Sequence, residues 1–276
     1  MKKLEKMFDL TGRVAVITGG TGLLGQQHAE AIASAGGIPV LADIRVDNVD
    51  PQGRPWKERF GDLAGAIRVD ITRPESVKAL LVEILSRYGR VDILINNAAN
   101  NPKMEKTSEV EFSRLENFPL IQWKADIAVG LTGAFLCAQI IGNEMAKRKR
   151  GVIVNIASDL AVISPDQRLY RQPGLPDGQQ PVKPVTYSVV KTGLLGLTRY
   201  LATYWAEMGI RVNAISPGGV YNNQPDDFVQ RLTNLIPLGR MANMDEYQAA
   251  ILFLCSDASA YMTGANLVVD GGRSCW

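Results

Sequence analysis

VAVITGGTGLLG, residues 14–25, decides the fold of this 276-residue chain. Residues 14–17 are a short β-branched and apolar run, the mark of a buried strand. Thr18-Gly19-Gly20-Thr21-Gly22-Leu23-Leu24-Gly25 follows, and then an apolar-periodic stretch predicts a helix. Glycines let a backbone turn tightly and approach a pyrophosphate, and a helix N-terminus adds N–H groups and a positive dipole end. A glycine-rich turn without a ligand has the same composition. What separates the two is the context of strand, loop, helix and a second strand, 38–41, running on to Asp43. An acid there meets the adenosine ribose hydroxyls and repels a 2′-phosphate, which favours NAD over NADP. Arg45, two residues on, would favour NADP. Asp70, ending the third strand, can cap the following turn and contact the adenine amine, two compatible roles.

The same rhythm extends along the chain. Runs at 14–17, 38–41, 66–69, 93–95, 152–156, 212–215 and 267–269 read as strands. Stretches 29–35, 74–88, 121–147, 187–207 and 244–256 read as helices. Continuous apolar strands alternating with helices predict a parallel sheet covered on both faces. Two stretches break the pattern, the polar residues 100–119 and the Pro-, Gly-, Gln- and Arg-rich residues 164–183. Both follow strands, at the carboxyl edge where such sheets bind ligands.

Composition narrows the function. The net charge of +2 implies neither a nucleic-acid nor a membrane partner. The basic run Lys147-Arg148-Lys149-Arg150 reads as a solvated helix end. Cys137, Cys255 and Cys275 are odd in number and widely spaced, which suits a reducing compartment and no metal site. His28, the one histidine, reads as structural, so histidine-based catalysis is excluded. No signal-peptide core follows Met1, and no run reaches the roughly 18 apolar residues of a membrane span. A cytoplasmic location is expected.

Tyr187 and Lys191 stand four apart, on one face of a helix. An ammonium beside a phenol stabilises the phenolate and draws its pKa down. A tyrosine tuned in this way exchanges a proton with an alcohol or carbonyl oxygen. Ser158 can hold the same oxygen. Tyr and Lys at this spacing are common on solvated helices, so the pair gains its weight from its company.

Together these segments resemble the short-chain dehydrogenase/reductase family over essentially the whole chain. Thr18, Gly19 and Gly25 match its glycine loop, and Asn96-Asn97-Ala98-Ala99 resembles its motif after the fourth strand. Ser158, Tyr187 and Lys191 match the catalytic Ser, Tyr and Lys. Pro217-Gly218-Gly219-Val220 resembles the segment holding the nicotinamide carboxamide, and Asp270-Gly271-Gly272 the usual C-terminal end. The resemblance implies one Rossmann-type α/β domain over residues 1–276, doubly wound, with a seven-stranded parallel sheet. It implies an NAD-dependent enzyme interconverting a secondary alcohol and a ketone, assembled as a homotetramer. Its implied cofactor-binding residues are Gly19, Thr21, Gly22, Leu24, Gly25, Asp43, Ile44, Asp70, Ile71, Asn97, Ala98, Ala99, Tyr187, Lys191, Pro217, Gly218 and Val220.

The chain departs from the family in three places. Gly22 carries the middle glycine where the ordinary-length branch has it at Leu23, a spacing similar to that of nucleotide-sugar-modifying members. Gly130 stands where the family has an Asn that holds a water in the proton relay from the Lys. Water filling that space would let Gly130→Asn be tolerated and raise turnover. Ser158 and Tyr187 lie 29 residues apart, more than the family's usual spacing. The insertion brings Asp166, Arg168, Tyr170, Arg171, Asp177, Gln179, Gln180 and Lys183 to the active site. Its two arginines and lysine point to an anionic or highly hydroxylated substrate. Asn222, Asn223 and Gln224 suit sugar hydroxyls, whereas Tyr221 and Phe228 suit stacking on a ring. Asn100, Arg168, Arg171 and Asn222 are the expected substrate contacts. Residues 97–103, the insertion, residues 183–191 and the ending Gly272-Arg273-Ser274-Cys275-Trp276 resemble bacterial members acting in flagellin-glycan sugar synthesis. A sugar or sugar-phosphate substrate is therefore expected. A nucleotide-sugar dehydratase or epimerase, and a non-catalytic NAD-binding protein, are the competing readings.

Overall fold

The computed structural model describes residues 2–46, 49–50, 52–100 and 113–276. Asn101, Pro102 and Lys103, and most of the expected loop 100–119, lie outside the described residues. Seven strands form one parallel sheet: β1 Val14–Thr18, β2 Ile38–Asp43, β3 Gly65–Arg68, β4 Ile93–Asn96, β5 Gly151–Ile156, β6 Ile210–Pro217 and β7 Asn266–Val269. Their order is β3-β2-β1-β4-β5-β6-β7. The order reverses between β1 and β4, which pair through Ala15↔Ile93, Val16↔Leu94 and Ile17↔Ile95. A crevice opens beyond the carboxyl ends of strands at such a switch point.

Alternation along β1 explains the two cores. Val14 and Val16 face one apolar cluster, which also holds Leu94, Ile141 and Trp205. Ala15 and Ile17 face the other, with Ile32, Ile95 and Ile251. Successive strand side chains point to opposite faces, so a β-branched run needs cover on both sides. Each fully buried Val or Ile contributes on the order of 1.5–3 kcal/mol by leaving water.

The helices supply that cover: α1 Lys2–Met7, α2 Leu23–Ser34, α3 Trp56–Phe60, α4 Pro74–Tyr88, α5 Leu120–Lys147, α6 Val185–Tyr204, α7 Asp226–Thr233 and α8 Gln248–Cys255. Of these, α1, α3 and α7 go beyond the sequence expectation, being short and polar-rich. α2 starts at Leu23, earlier than the expected 29, because Gly25 is not loop but the helix's first turn. α8 starts at Gln248, four residues later than expected. α5 contains two stretches of wider, π-type winding, Ala128–Thr132 and Ala138–Gly142. By length and mean hydropathy α5 could cross a membrane, contrary to the sequence reading that no run does. Half of its apolar window is buried inside the domain, where Cys137, Ala138, Ile141 and Met145 join the core.

Candidate active site

The nucleotide side is built mainly from backbone. Gly19 has a positive φ of 62°, and a Cβ there would lie 2.9 Å from the Ala98 Cα. At Gly25 a Cβ would lie 2.2 Å from the Gly19 carbonyl oxygen, so α2 can pack on the loop only with glycine. Gly22 caps α2 without any side-chain hydrogen bond, which leaves first-turn N–H groups for a phosphate. The missing glycine at position 23 costs nothing structurally, because Leu23 projects outward.

Side chains lock this loop from behind. The Asn97 amide donates to the carbonyls of Thr18 and Gly19, both at 3.0 Å. The Asn97 and Ala98 N–H groups both donate to Thr18 Oγ1 at 3.1 Å. Asp43 Oδ2 accepts from Thr21 Oγ1 at 2.8 Å and from the Thr21 N–H at 3.2 Å. The carboxylate thus sits at the mouth of the glycine loop, beside half-exposed Ile44. Asp70 accepts from Thr72 N–H and Oγ1, which is the turn-capping role of the two considered. Ile71 packs under Gly133 of α5. Pro217 ends β6, Gly218 N–H donates to the Val269 carbonyl, and Val220 bridges to Ala242. These residues form one rim around the crevice, and they suit a dinucleotide: a closely approachable backbone, uncapped N–H groups and an acid at the ribose end.

Across the crevice stand Ser158, Tyr187 and Lys191. Lys191 is buried on α6 and donates to the Ile156 carbonyl at 2.7 Å. Burial, and secondarily the like charge of Lys183, pull its pKa down to about 8. Burial pushes Tyr187 above its ordinary value; hydrogen bonding with Ser158 works against this, and the Asp159 charge adds to it. The sequence expectation was a phenol drawn down by lysine. The reversal has a physical reason: burial penalises the phenolate more than the hydrogen bond with Ser158 favours it.

Ser158 is fixed by residues that the sequence reading passed over. Its Oγ donates to Asp159 Oδ1 at 2.8 Å and accepts from the Leu160 N–H at 3.2 Å. Asp159 Oδ2 in turn accepts from Arg273 at 2.6 Å, in an ion pair buried on both sides. Asp270 holds Arg273's segment by accepting from the N–H groups of Gly272 and Ser274. The signal was present in the charged pair Asp159 and Arg273, but 114 positions separate them. Behind the site, Asn96 donates to Asn155, which donates to Thr198 of α6.

A cavity adjoins the phenol, lined by Ala99, Asn100, Asp126, Gly130, Lys183, Pro184, Thr186, Tyr187, Val190 and Lys191. Of the expected substrate contacts, Asn100 lines it, while Arg168, Arg171 and Asn222 do not. Arg168 is 79% exposed in its side chain and pairs with Asp166 at 2.7 Å; Arg171 and Asn222 are exposed. The insertion instead anchors itself apolarly, with Leu169 packing on Leu232, Ile236 and Met241, and Tyr170 on Phe228. Its one cation in the cavity is Lys183, whose Nζ lies 3.9 Å from the Tyr187 ring centre. Asp126, not singled out by the sequence, accepts from Thr186 Oγ1 at 2.5 Å and from Gln122 at 2.7 Å.

Gly130 has a packing reason. A Cβ there would lie 2.4 Å from Val190 Cγ1, so α5 and α6 meet closely at this point. The expectation that an asparagine would be tolerated here is therefore corrected. The obstacle is a stiff β-branched side chain on a neighbouring helix. His28, as expected, is buried, and burial pulls its pKa down to about 4. Among the described residues no cluster of His, Cys, Asp and Glu could hold a metal ion.

A family profile described as short chain dehydrogenase matches residues 13–170, and one described as Enoyl-(Acyl carrier protein) reductase matches residues 178–274. The chain is 34% identical over 276 residues to an NAD-dependent glycerol dehydrogenase of Listeria innocua serovar 6a, covering 98% of this chain and 97% of the relative. It is 32% identical to a D-threitol dehydrogenase of Mycolicibacterium smegmatis, over 96% and 94% of the two chains. A crystal structure of a gluconate 5-dehydrogenase from Burkholderia cenocepacia J2315, in complex with NADP and tartrate, superposes with a TM-score of 0.83 at 27% identity, over 99% of both chains. With the glycine loop, the sheet order and the Ser158, Tyr187 and Lys191 cluster converging, the chain belongs to the short-chain dehydrogenase/reductase family.

Proposed function

We propose that this protein is an NAD-dependent oxidoreductase interconverting a secondary alcohol and a ketone on a polar, sugar-like small molecule. The observation that carries the reading is the convergence of Ser158, Tyr187 and Lys191 beside one cavity at the sheet's switch point. The nicotinamide supplies hydride chemistry when bound. Tyr187 Oη holds the proton exchanged with the substrate oxygen, and Ser158 Oγ orients that oxygen. Lys191 keeps an ammonium behind the phenol and faces the nicotinamide ribose. Asn100 offers an amide to substrate hydroxyls. Polyol-acting relatives support this substrate class.

Asp43 supports NAD, because its carboxylate beside Thr21 would repel a 2′-phosphate. The glycerol dehydrogenase relative shares that cofactor, whereas the gluconate 5-dehydrogenase structure holds NADP. Residues 1–276 work as one cytoplasmic domain in this reading, assembled as a homotetramer. Exposed Phe135 on α5, with stacked and exposed Tyr200 and Tyr204 on α6, supports an assembly face. Light scattering is expected to give about four times the 30.1 kDa chain mass; a monomer at micromolar concentration refutes it. Gly130 no longer argues for a non-catalytic protein, since packing against Val190 accounts for it.

The test is Tyr187→Phe, which removes one oxygen and leaves the glycine loop, Asp43 and Lys191 in place for the dinucleotide. Turnover on polyols is expected to fall by about 10²–10⁴-fold, with NAD binding retained. Substantial activity in that variant sinks the mechanism.

A further inference from the structure

Ser158 has one proton to give, and two oxygens compete for it. A hydroxyl is a single donor, and a carboxylate paired with a guanidinium only accepts. Asp159 Oδ1 therefore takes the Ser158 proton at 2.8 Å, while the Leu160 N–H occupies one lone pair of Oγ at 3.2 Å. A substrate carbonyl oxygen at Ser158 must draw the same proton away from Asp159. Two other donors weaken the carboxylate's hold. Arg273 donates to Oδ2 at 2.6 Å, and the Leu160 N–H also donates to Oδ1 at 2.8 Å.

Arg273 is placed there by the segment after β7. Gly272 has a φ of 87°, and a Cβ on it would lie 2.9 Å from Pro237 Cγ. The Leu238 N–H donates to the Gly271 carbonyl at 3.1 Å, and Trp276 Nε1 to the Leu235 carbonyl at 3.2 Å. These contacts clamp the segment to residues 235–238 and leave the Arg273 side chain buried against Asp159. A buried ion pair is weak support for stability, because well-packed apolar residues of similar volume often serve as well. Stability alone gives this pair no reason to stand against the serine of the site.

We propose that Arg273 is a positioning residue for the reaction, acting through Asp159. It fixes where Ser158 Oγ stands, and it tempers the carboxylate so that the serine can turn its hydrogen bond to the substrate oxygen. This rests on the oxidoreductase reading above and adds to it a residue that works through another side chain. The charge is essential to the role, since hydrogen bonds to ionised groups are roughly twice as strong as neutral ones.

The experiment is a double-mutant cycle between Arg273 and Ser158, with NAD and the alditol that wild type turns over fastest from a panel. Arg273→Gln is expected to lower kcat at least about tenfold with KM for NAD unchanged, and Arg273→Lys to recover part of that loss. In a Ser158→Ala background, Arg273→Gln is expected to cost less than about twofold more, because its only route to the chemistry has gone. Where Ser158→Ala leaves no measurable turnover, the same cycle is read on the Kd of the corresponding ketose in the presence of NAD. Asp159→Asn combined with Arg273→Gln removes both charges together, so no unpaired carboxylate is buried, and carries the same expectations if the single variant does not fold. Unchanged kcat, or an equal loss with and without the serine hydroxyl, overturns the positioning role and leaves the oxidoreductase reading standing. A wild type that binds NAD but turns over no alditol overturns both.

Discussion

The two walls of the crevice are made of different materials. The nucleotide wall is mostly backbone: glycines at 19, 22 and 25, the uncapped start of α2, and Asn97 holding the loop to β4. The substrate wall is mostly side chain, with Lys183, Tyr187, Lys191, Asp126 and the Asp159–Arg273 pair brought from four separate parts of the chain. A backbone site depends on local conformation, and a short motif can specify it. A side-chain site depends on tertiary packing, and its members need not be near each other in sequence.

The largest effect that would test this contrast is at Gly130, on the side-chain wall. Gly130→Asn is expected to destabilise the protein by about 1–3 kcal/mol through overpacking against Val190, seen as a lowered melting temperature. Combining it with Val190→Ala should restore most of the loss. A single variant as stable as wild type would show that α5 and α6 can separate there, and packing would no longer explain the glycine.

On the backbone wall a smaller and more selective effect is expected. Asp43→Ala should reduce the preference for NAD over NADP by about tenfold, measured as a ratio of kcat/KM values, while leaving substrate selectivity unchanged. Coupled changes in both selectivities would mean the two walls do not act separately.

The smallest effect concerns pH. Burial lowers Lys183 from 10.5 to about 8, and the Asp159 charge works against this. Above pH 8 the folded protein then binds fewer protons than the unfolded chain, so stability rises with pH from about 8 toward 10.5. Below pH 8 both states hold the proton, and the full cost of burying the charge is present. Between pH 7 and 9 the gain is about 1 kcal/mol for this lysine. Buried Cys137 and Cys255, pushed from 9.0 up to about 12, act in the opposite direction above pH 9. Comparing wild type with Lys183→Met removes that background. A melting temperature that rises equally in both would assign the effect to Lys191 alone.

The glycine loop and its supports were legible in the sequence, since Gly19, Gly25, Asp43 and Asn97 each act through a local loop or a neighbouring strand end. The sequence disclosed all seven strands, because a strand buried on both faces leaves a continuous apolar run. The substrate wall was only partly readable. Ser158, Tyr187 and Lys191 could be named, but arginine and lysine in the insertion could not be sorted by composition. Arg168 turns to Asp166 and solvent while Lys183 turns inward, an outcome set by Leu169 and Tyr170 seeking apolar partners on distant residues. Asp159 and Arg273 were missed for the same reason.

That last pair also bears on the order in which the molecule is assembled. Closing the 114-residue gap between Asp159 and Arg273 requires β7 to have docked beside β6, at the far edge of the sheet. Most of the nucleotide wall, the glycine loop with Asn97 and Ala98, lies within the first 98 residues and closes over the shorter separations of 78 and 80 residues, and the Pro217–Val220 rim joins it from β6. Long-range contacts carry the larger loop-closure entropy and form slowly. During refolding, NAD binding is thus expected to return before turnover; simultaneous recovery of the two would show that the serine's setting does not wait for the tail.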